Sequence, residues 1–180
     1  MAIHWRRFLP DAIFLCPNAP EICAINPNGF QWFDLTNEKD DAILEKSLIA
    51  EKKMVIFLDE IINKFQLESK SLALVGFSQG CMVSIQVGLK YKKLIGCIIG
   101  YSGKVINKKH LSTNVNSKPK IFLMHGDKDT IVPPIHLLES KEFLNNCGLK
   151  TKTKSFKNCE HRIPIEGSSL GLEFLRKNLL

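Results

Sequence analysis

The sequence predicts an α/β domain built on a mainly parallel sheet. Three features carry that prediction. Short apolar runs of strand length alternate with longer stretches whose apolar residues recur at steps of three and four. Several short runs stop at a glycine or proline, where a strand hands over to a loop. One of them, Leu72-Ala-Leu-Val, meets Gly76-Phe77-Ser78-Gln79-Gly80 and then a second apolar run, the pattern of strand, sharp corner and helix. With 180 residues, 44% of them hydrophobic, the chain suits one domain over residues 1–180 with a sizeable core.

In chain order, His4-Trp-Arg-Arg-Phe-Leu-Pro10 reads as the end of a helix, and Asp11-Ala-Ile-Phe-Leu-Cys16 as a short strand closed by Pro17. Residues 17–36, with Pro17, Pro20, Pro27 and Gly29, read as one long loop. Its Trp32 and Phe33 suit a pocket wall, with simple packing of Trp32 as the alternative. From Asp40 to Leu67 a helical period runs through Leu44, Leu48, Val55, Leu58, Ile62 and Phe65. Asn37 is its expected cap, and Asp40, Asp41 and Glu45 favour its positive end. After the strand into Gly76, the residues Met82, Val83, Ile85, Val87 and Leu89 read as a buried helix. Leu94–Gly100 is a further buried strand, followed by a polar, lysine-rich connection over 102–118. Lys120–His125 is a strand ended by Gly126; Pro134–Cys147 is a helix with Gly148 as its C-cap. Lys150–Phe156 alternates like an edge strand, and Ile163–Leu180 holds the last helix, with Leu172, Leu175 and Leu179 on one face.

Composition narrows the function classes. The net charge of +7 comes from lysine, which far outnumbers arginine and is scattered rather than gathered in a stripe. No arginine-aromatic interleaving of the nucleic-acid-binding kind appears, so no nucleic-acid partner is expected. The six cysteines form no Cys-x-x-Cys pair and no His-Cys metal spacing, so neither a metal nor a cofactor is called for. Without a signal peptide, spanning run or lipidation motif, the expected place is the cytoplasm, with no stable membrane insertion.

The chemistry centres on Ser78. A serine at a strand-to-helix corner sits in a strained backbone conformation, its hydroxyl aimed outward, with both glycines letting neighbouring elements approach. The following helix N-terminus aims free N–H groups at developing negative charge. A serine hydroxyl is a poor nucleophile at neutral pH, so a histidine must take its proton and return it to the leaving group. A carboxylate must then fix the histidine tautomer. Asp127 and Asp129, in His125-Gly-Asp-Lys-Asp129, lie two apart after a strand, and spacing does not choose between them. Asp127 has the alternative of bonding the turn's own backbone. His161 lies between the last strand and the last helix, and Ser-Asp-His is the chain order of one known triad arrangement. His4, His110 and His136 have no comparable setting, and His125 reads as a structural hydrogen-bonder.

Beyond the serine motif, Trp5-Arg-Arg-Phe-Leu-Pro-Asp-Ala12, Pro17-Asn-Ala-Pro20, Gln31-Trp-Phe-Asp-Leu35, His125-Gly-Asp-Lys-Asp129 with Val132-Pro133, and His161 follow in order over nearly the whole chain. With Gly76-Phe-Ser-Gln-Gly80 they resemble the phospholipase/carboxylesterase family of α/β-hydrolases, which includes acyl-protein thioesterases and small bacterial carboxylesterases. The resemblance implies a three-layer sandwich with Ser78 as nucleophile, Asp129 as triad acid and His161 as base. It implies Gln79 N–H in the oxyanion hole, and Trp32, Phe33, Phe77, Ile131 and Val132 beside the substrate. The implied activity is hydrolysis of short-to-medium acyl esters, lysophospholipids or acyl thioesters; the partner is a small acyl ester.

Three departures qualify it. Glu160 and Arg162 flank His161 where family members usually carry glycine, which predicts a narrower site or a shifted histidine. Cys81 follows the elbow where glycine is common. The chain also begins downstream of the family's first strand and its His-Gly-rich oxyanion loop, so the sheet is expected to lack a central strand. That leaves Gln79 as the one identifiable oxyanion donor, and loss of a donor typically costs about 10²–10³ in rate. An impaired or inactive hydrolase remnant is therefore the alternative function. The open sheet edge predicts a tendency to form homodimers or aggregates.

Overall fold

The computed structural model describes residues 1–23, 25–36 and 40–179. A four-residue helix α1 (Ala2–Trp5) is followed by a hairpin of β1 (Glu21–Cys23) and β2 (Asn26–Gln31). The long α2 (Asp40–Phe65) leads to β3 (Ala73–Phe77), α3 (Gln79–Lys90) and β4 (Cys97–Tyr101). Then come α4 (Lys108–Ser112), β5 (Lys120–Gly126), α5 (Ile135–Asn146), β6 (Thr151–Phe156) and α6 (Ile165–Leu179).

Strands β3 to β6 pair in sequence order, all parallel, in a register that sets Val75 beside Ile99 and Ile99 beside Phe122. The period of two along each strand divides their side chains between two cores. Leu74, Ile98, Ile121 and Leu123 join Leu58 and Ile62 of α2, Ile85 of α3, Leu111 of α4 and Leu144 of α5. Cys97, Ile99, Phe122 and Met124 turn the other way, onto Trp5 and Leu175. Helices on both faces make three layers, which is why the strands are nearly continuous hydrophobic runs. Each such Ile, Leu or Phe contributes roughly 1.5–3 kcal/mol by burial. The Trp5 indole N–H also donates to Ser168 of α6, tying α1 to this second core.

Several expectations need correction. Asp11–Cys16 is not a strand: it pairs with no strand among the described residues. A strand needs a partner for its ladder, and this segment has none among the described residues. Phe14 packs against the second core while Ile13 and Leu15 are exposed. Residues 17–36 are not a plain loop but hold the β1–β2 hairpin, in which Glu21 pairs with Gln31 and Ile22 with Phe30. Pro27 and Gly29 disguised it, because both argue against strand, yet an isolated two-stranded ribbon tolerates them. The run from Leu94 becomes strand only at Cys97, and the 102–118 connection contains α4. The Asn37 cap lies outside the described residues.

The two sheet edges differ. β6 carries Lys152 and Lys154, charges that guard an exposed edge. β3 ends the sheet on the other side, and its Ala-Leu-Val-Gly-Phe carries no charge. Gly148 closes α5 at φ +77°, a left-handed position that suits glycine. No helix among the described residues is long and apolar enough to cross a membrane.

Candidate active site

The carboxyl ends of β3, β5 and β6 bring the predicted groups to one end of the sheet, where ligands bind in folds of this kind. Ser78 follows β3 directly, at φ 52° and ψ −120°. That conformation costs on the order of 1–3 kcal/mol for a non-glycine residue. It is held by Ser78 N–H donating to the Tyr101 carbonyl at 2.8 Å, and by the Ser78 carbonyl accepting from Cys81 N–H at 3.0 Å. Gly76 makes the corner sterically feasible: a Cβ there would run into the Gly80 carbonyl group. Gly80 does not share that role, since a side chain there would meet open space. Ser78 stands at the N-cap of α3 without using its hydroxyl as a cap, so the oxygen stays available for chemistry. The N–H of Gln79, first residue of α3, has no helical acceptor.

Asp129 follows β5 and is 3% exposed. Its Oδ1 accepts the N–H groups of Ile131 at 3.0 Å and Val132 at 2.8 Å, and its Oδ2 lies 2.7 Å from His161 Nδ1. Burial pushes the Asp129 carboxyl up, but the His161 hydrogen bond and then those from Val132 and Ile131 outweigh it and hold it below the usual value. With Oδ2 accepting, His161 Nδ1 carries the hydrogen and Nε2 is left to receive a proton.

Asp127 takes a different part. Its carboxylate accepts Cys159 N–H at 3.3 Å, and the Lys128 N–H donates to the Cys159 carbonyl at 2.9 Å. Asp127 thus bonds the loop that carries His161 rather than its own turn. Gly126 allows this approach, because a Cβ there would overlap the Cys159 carbonyl. His125 is buried, and its Nε2 meets the Val132 carbonyl at 2.8 Å, with Asp129 Oδ2 3.2 Å from the same nitrogen.

The remaining predicted residues are distributed unevenly. Phe77 stacks at a tilt on His161, ring centroids 4.7 Å apart. Ile131 is 69% exposed next to the triad acid, while Val132 is buried beneath it. Phe33 is fully buried in the first core, so it supports a wall from behind rather than facing a ligand. Trp32 lines an apolar cavity of about 130 Å³ with Pro17, Pro20, Met54 and Phe57. Glu160 and Arg162 are exposed, and among the described residues neither bonds His161. Cys81 is buried against Gly100 and Gly103, which explains how the elbow helix accepts a side chain there. Among the described residues no hydrogen bond joins Ser78 Oγ to His161, a contact that often tightens only when substrate is bound.

The profile of the phospholipase/carboxylesterase family matches residues 2–179, almost the whole chain. The chain belongs to that family. Acyl-protein thioesterase 1 of Schizosaccharomyces pombe is 31% identical over 176 residues, covering 92% of this chain and 77% of that protein. Esterase YpfH of Escherichia coli is 24% identical over 171 residues, covering 93% of this chain and 70% of that one. The crystal structure of esterase PE8 superposes with a TM-score of 0.93 at 32% identity, over 99% of this chain and 84% of that chain. As a member of the phospholipase/carboxylesterase family, the protein is an α/β-hydrolase acting on ester bonds.

Sequence reasoning named Asp129 and His161 but missed the side chain of Gln79. Its Oε1 accepts the Trp32 N–H at 2.8 Å and its Nε2 donates to the Phe33 carbonyl at 2.6 Å. No sequence signal marks this, because both partners are backbone groups 46 and 47 positions away.

Proposed function

We propose that the protein is a serine carboxylesterase or thioesterase that works through an acyl-enzyme on Ser78. The observation that carries this reading is the 2.7 Å contact of His161 Nδ1 with Asp129 Oδ2 beside a serine held at positive φ. Ser78 Oγ attacks the acyl carbonyl carbon while its proton passes to His161 Nε2. Asp129 stabilises the imidazolium without taking the proton. The oxyanion accepts the Gln79 N–H and faces the positive end of α3. Collapse expels an alcohol or thiol, which takes the proton from Nε2. Water then repeats the sequence, releasing the carboxylic acid and restoring Ser78.

Short-to-medium acyl chains are the proposed substrates, as oxygen esters, lysophospholipids or thioesters. The S. pombe relative, named an acyl-protein thioesterase, supports the thioester. Ile131 and Phe77 would touch the acyl chain near the reacting carbon, Trp32 would border it further out, and Val132 and Phe33 would support those contacts from the core. Labelling with a fluorophosphonate is the test. Wild type should become covalently modified and Ser78→Ala should not; equal labelling of both would refute the assignment. A second reading, an attenuated hydrolase, is favoured by the Gln79 N–H as the one donor assigned to the oxyanion. It expects labelling of Ser78 with p-nitrophenyl butyrate turnover about 10²–10³ below a two-donor enzyme.

A further inference from the structure

The Gln79 amide faces two backbone groups of consecutive residues, and that arrangement fixes its orientation. A backbone N–H needs an oxygen and a carbonyl needs a donor, so Oε1 must meet Trp32 and Nε2 must meet Phe33. Both distances are at or below the usual length for such bonds. The segment they hold is anchored on its other sides by different means. The Phe33 ring is buried in the first core, and Asp34 accepts from Thr36 N–H at 2.8 Å and pairs with Lys46 at 2.9 Å. Among the hydrogen bonds of the described residues, Gln79 alone joins this segment to the nucleophile elbow. Trp32 therefore has its backbone on the elbow and its side chain on the apolar cavity bordered by Pro17, Pro20, Met54 and Phe57.

We infer that the side chain of Gln79 is a specificity-determining positioning residue: it clamps Trp32 in place and thereby sets how long an acyl chain the site accepts. This role is separate from that of its backbone N–H, which every substitution except proline preserves. It rests on the reading that Trp32 borders the acyl chain. Gln79→Met keeps the length of the side chain and removes both bonds. Gln79→Glu still accepts the Trp32 N–H but sets a second carboxylate oxygen against the Phe33 carbonyl, so it also releases the segment.

The chain contains two tryptophans, and Trp5 is 2% exposed, so acrylamide quenching reports mainly on Trp32. Quenching should rise in both variants, and octanoate, titrated by tryptophan fluorescence, should bind about tenfold more weakly, the equivalent of one or two net hydrogen bonds. The preference for p-nitrophenyl octanoate over acetate should fall by a similar factor. Octanoate affinity unchanged in both variants, or an equal loss for short and long esters, would overturn the inference. Should neither variant fold, amide exchange in the wild type decides: a Trp32 N–H that exchanges as fast as an open loop amide refutes the clamp, and a protected one supports it. Fluorophosphonate labelling keeps the two readings apart. Absent labelling with a weakened octanoate site removes the acyl-enzyme and leaves the clamp; normal labelling with an unmoved octanoate site removes the clamp alone.

Discussion

Replacing Asp129 by asparagine should all but abolish turnover while leaving the fold in place. The reason lies in how the two carboxylate oxygens divide their work. Oδ1 accepts two backbone N–H groups, from Ile131 and Val132, so in the variant the amide oxygen must stay on that side. The new NH₂ then occupies the position of Oδ2, 2.7 Å from His161 Nδ1. Two donors cannot face each other, so the imidazole moves its hydrogen to Nε2, the nitrogen that has to take the proton of Ser78. A wrong tautomer of this kind lowers kcat by about 10⁴ in serine hydrolases with the same triad logic, or ~5 kcal/mol of barrier. The loss of stability should be limited to the carboxylate's own contribution, because the Oδ1 bonds survive. Asp129→Ala, by contrast, strands the buried Val132 N–H as well as that of Ile131, at about 1–3 kcal/mol for each buried group. The assay is steady-state hydrolysis of p-nitrophenyl butyrate with the thermal midpoint of each variant measured alongside. Asp129→Asn within tenfold of wild type would mean that the carboxylate does not set the histidine tautomer.

Three further outcomes follow from the same geometry. The Asp129 carboxyl is held below its ordinary 3.8, so its contribution to stability is full above that pH and lost as pH falls through the lowered folded value. The thermal midpoint of wild type should accordingly fall more steeply below about pH 4 than that of Asp129→Asn; parallel curves would contradict the linkage. Burial pushes the Cys81 and Cys97 thiols up to about 12, whereas Cys16 is exposed. Iodoacetamide at pH 8 should therefore modify Cys16 and spare Cys81 and Cys97 until the protein is unfolded, which peptide mapping would reveal. A side chain at Gly100 would collide with Cys81 Sγ and crowd Leu123 Cδ2, so Gly100→Ala should cost about 1–3 kcal/mol and adding Cys81→Ala should recover part of it. Additive losses in denaturant melts would show that the two positions are not in contact.

Much of the fold was written in local pattern. Parallel strands covered on both faces must be apolar along their whole length, so β3, β4 and β5 stood out as short hydrophobic runs, and helical periodicity marked α2 and α3. The elbow was equally legible, because its strained serine and the close approach at Gly76 demand particular residue types at fixed spacing. Expectations failed where structure depends on a partner that local pattern does not reveal. Asp11–Cys16 is an apolar run of strand length with nothing among the described residues to pair with. The β1–β2 hairpin was hidden because Pro27 and Gly29 are breakers only where a ladder needs every residue.

The sequence by itself determined the parts: a serine at a strand-to-helix corner, a carboxylate pair after a strand, a histidine before the last helix, and an order shared with the phospholipase/carboxylesterase family. Composition could not separate Asp127 from Asp129, since two carboxylates two residues apart are chemically alike. Only the tertiary structure divided them, turning one to the Cys159 backbone and the other to His161. It alone also showed that the Gln79 side chain reaches Trp32 and Phe33. Those bonds end on backbone atoms, which every residue possesses, and so they leave no mark in the sequence.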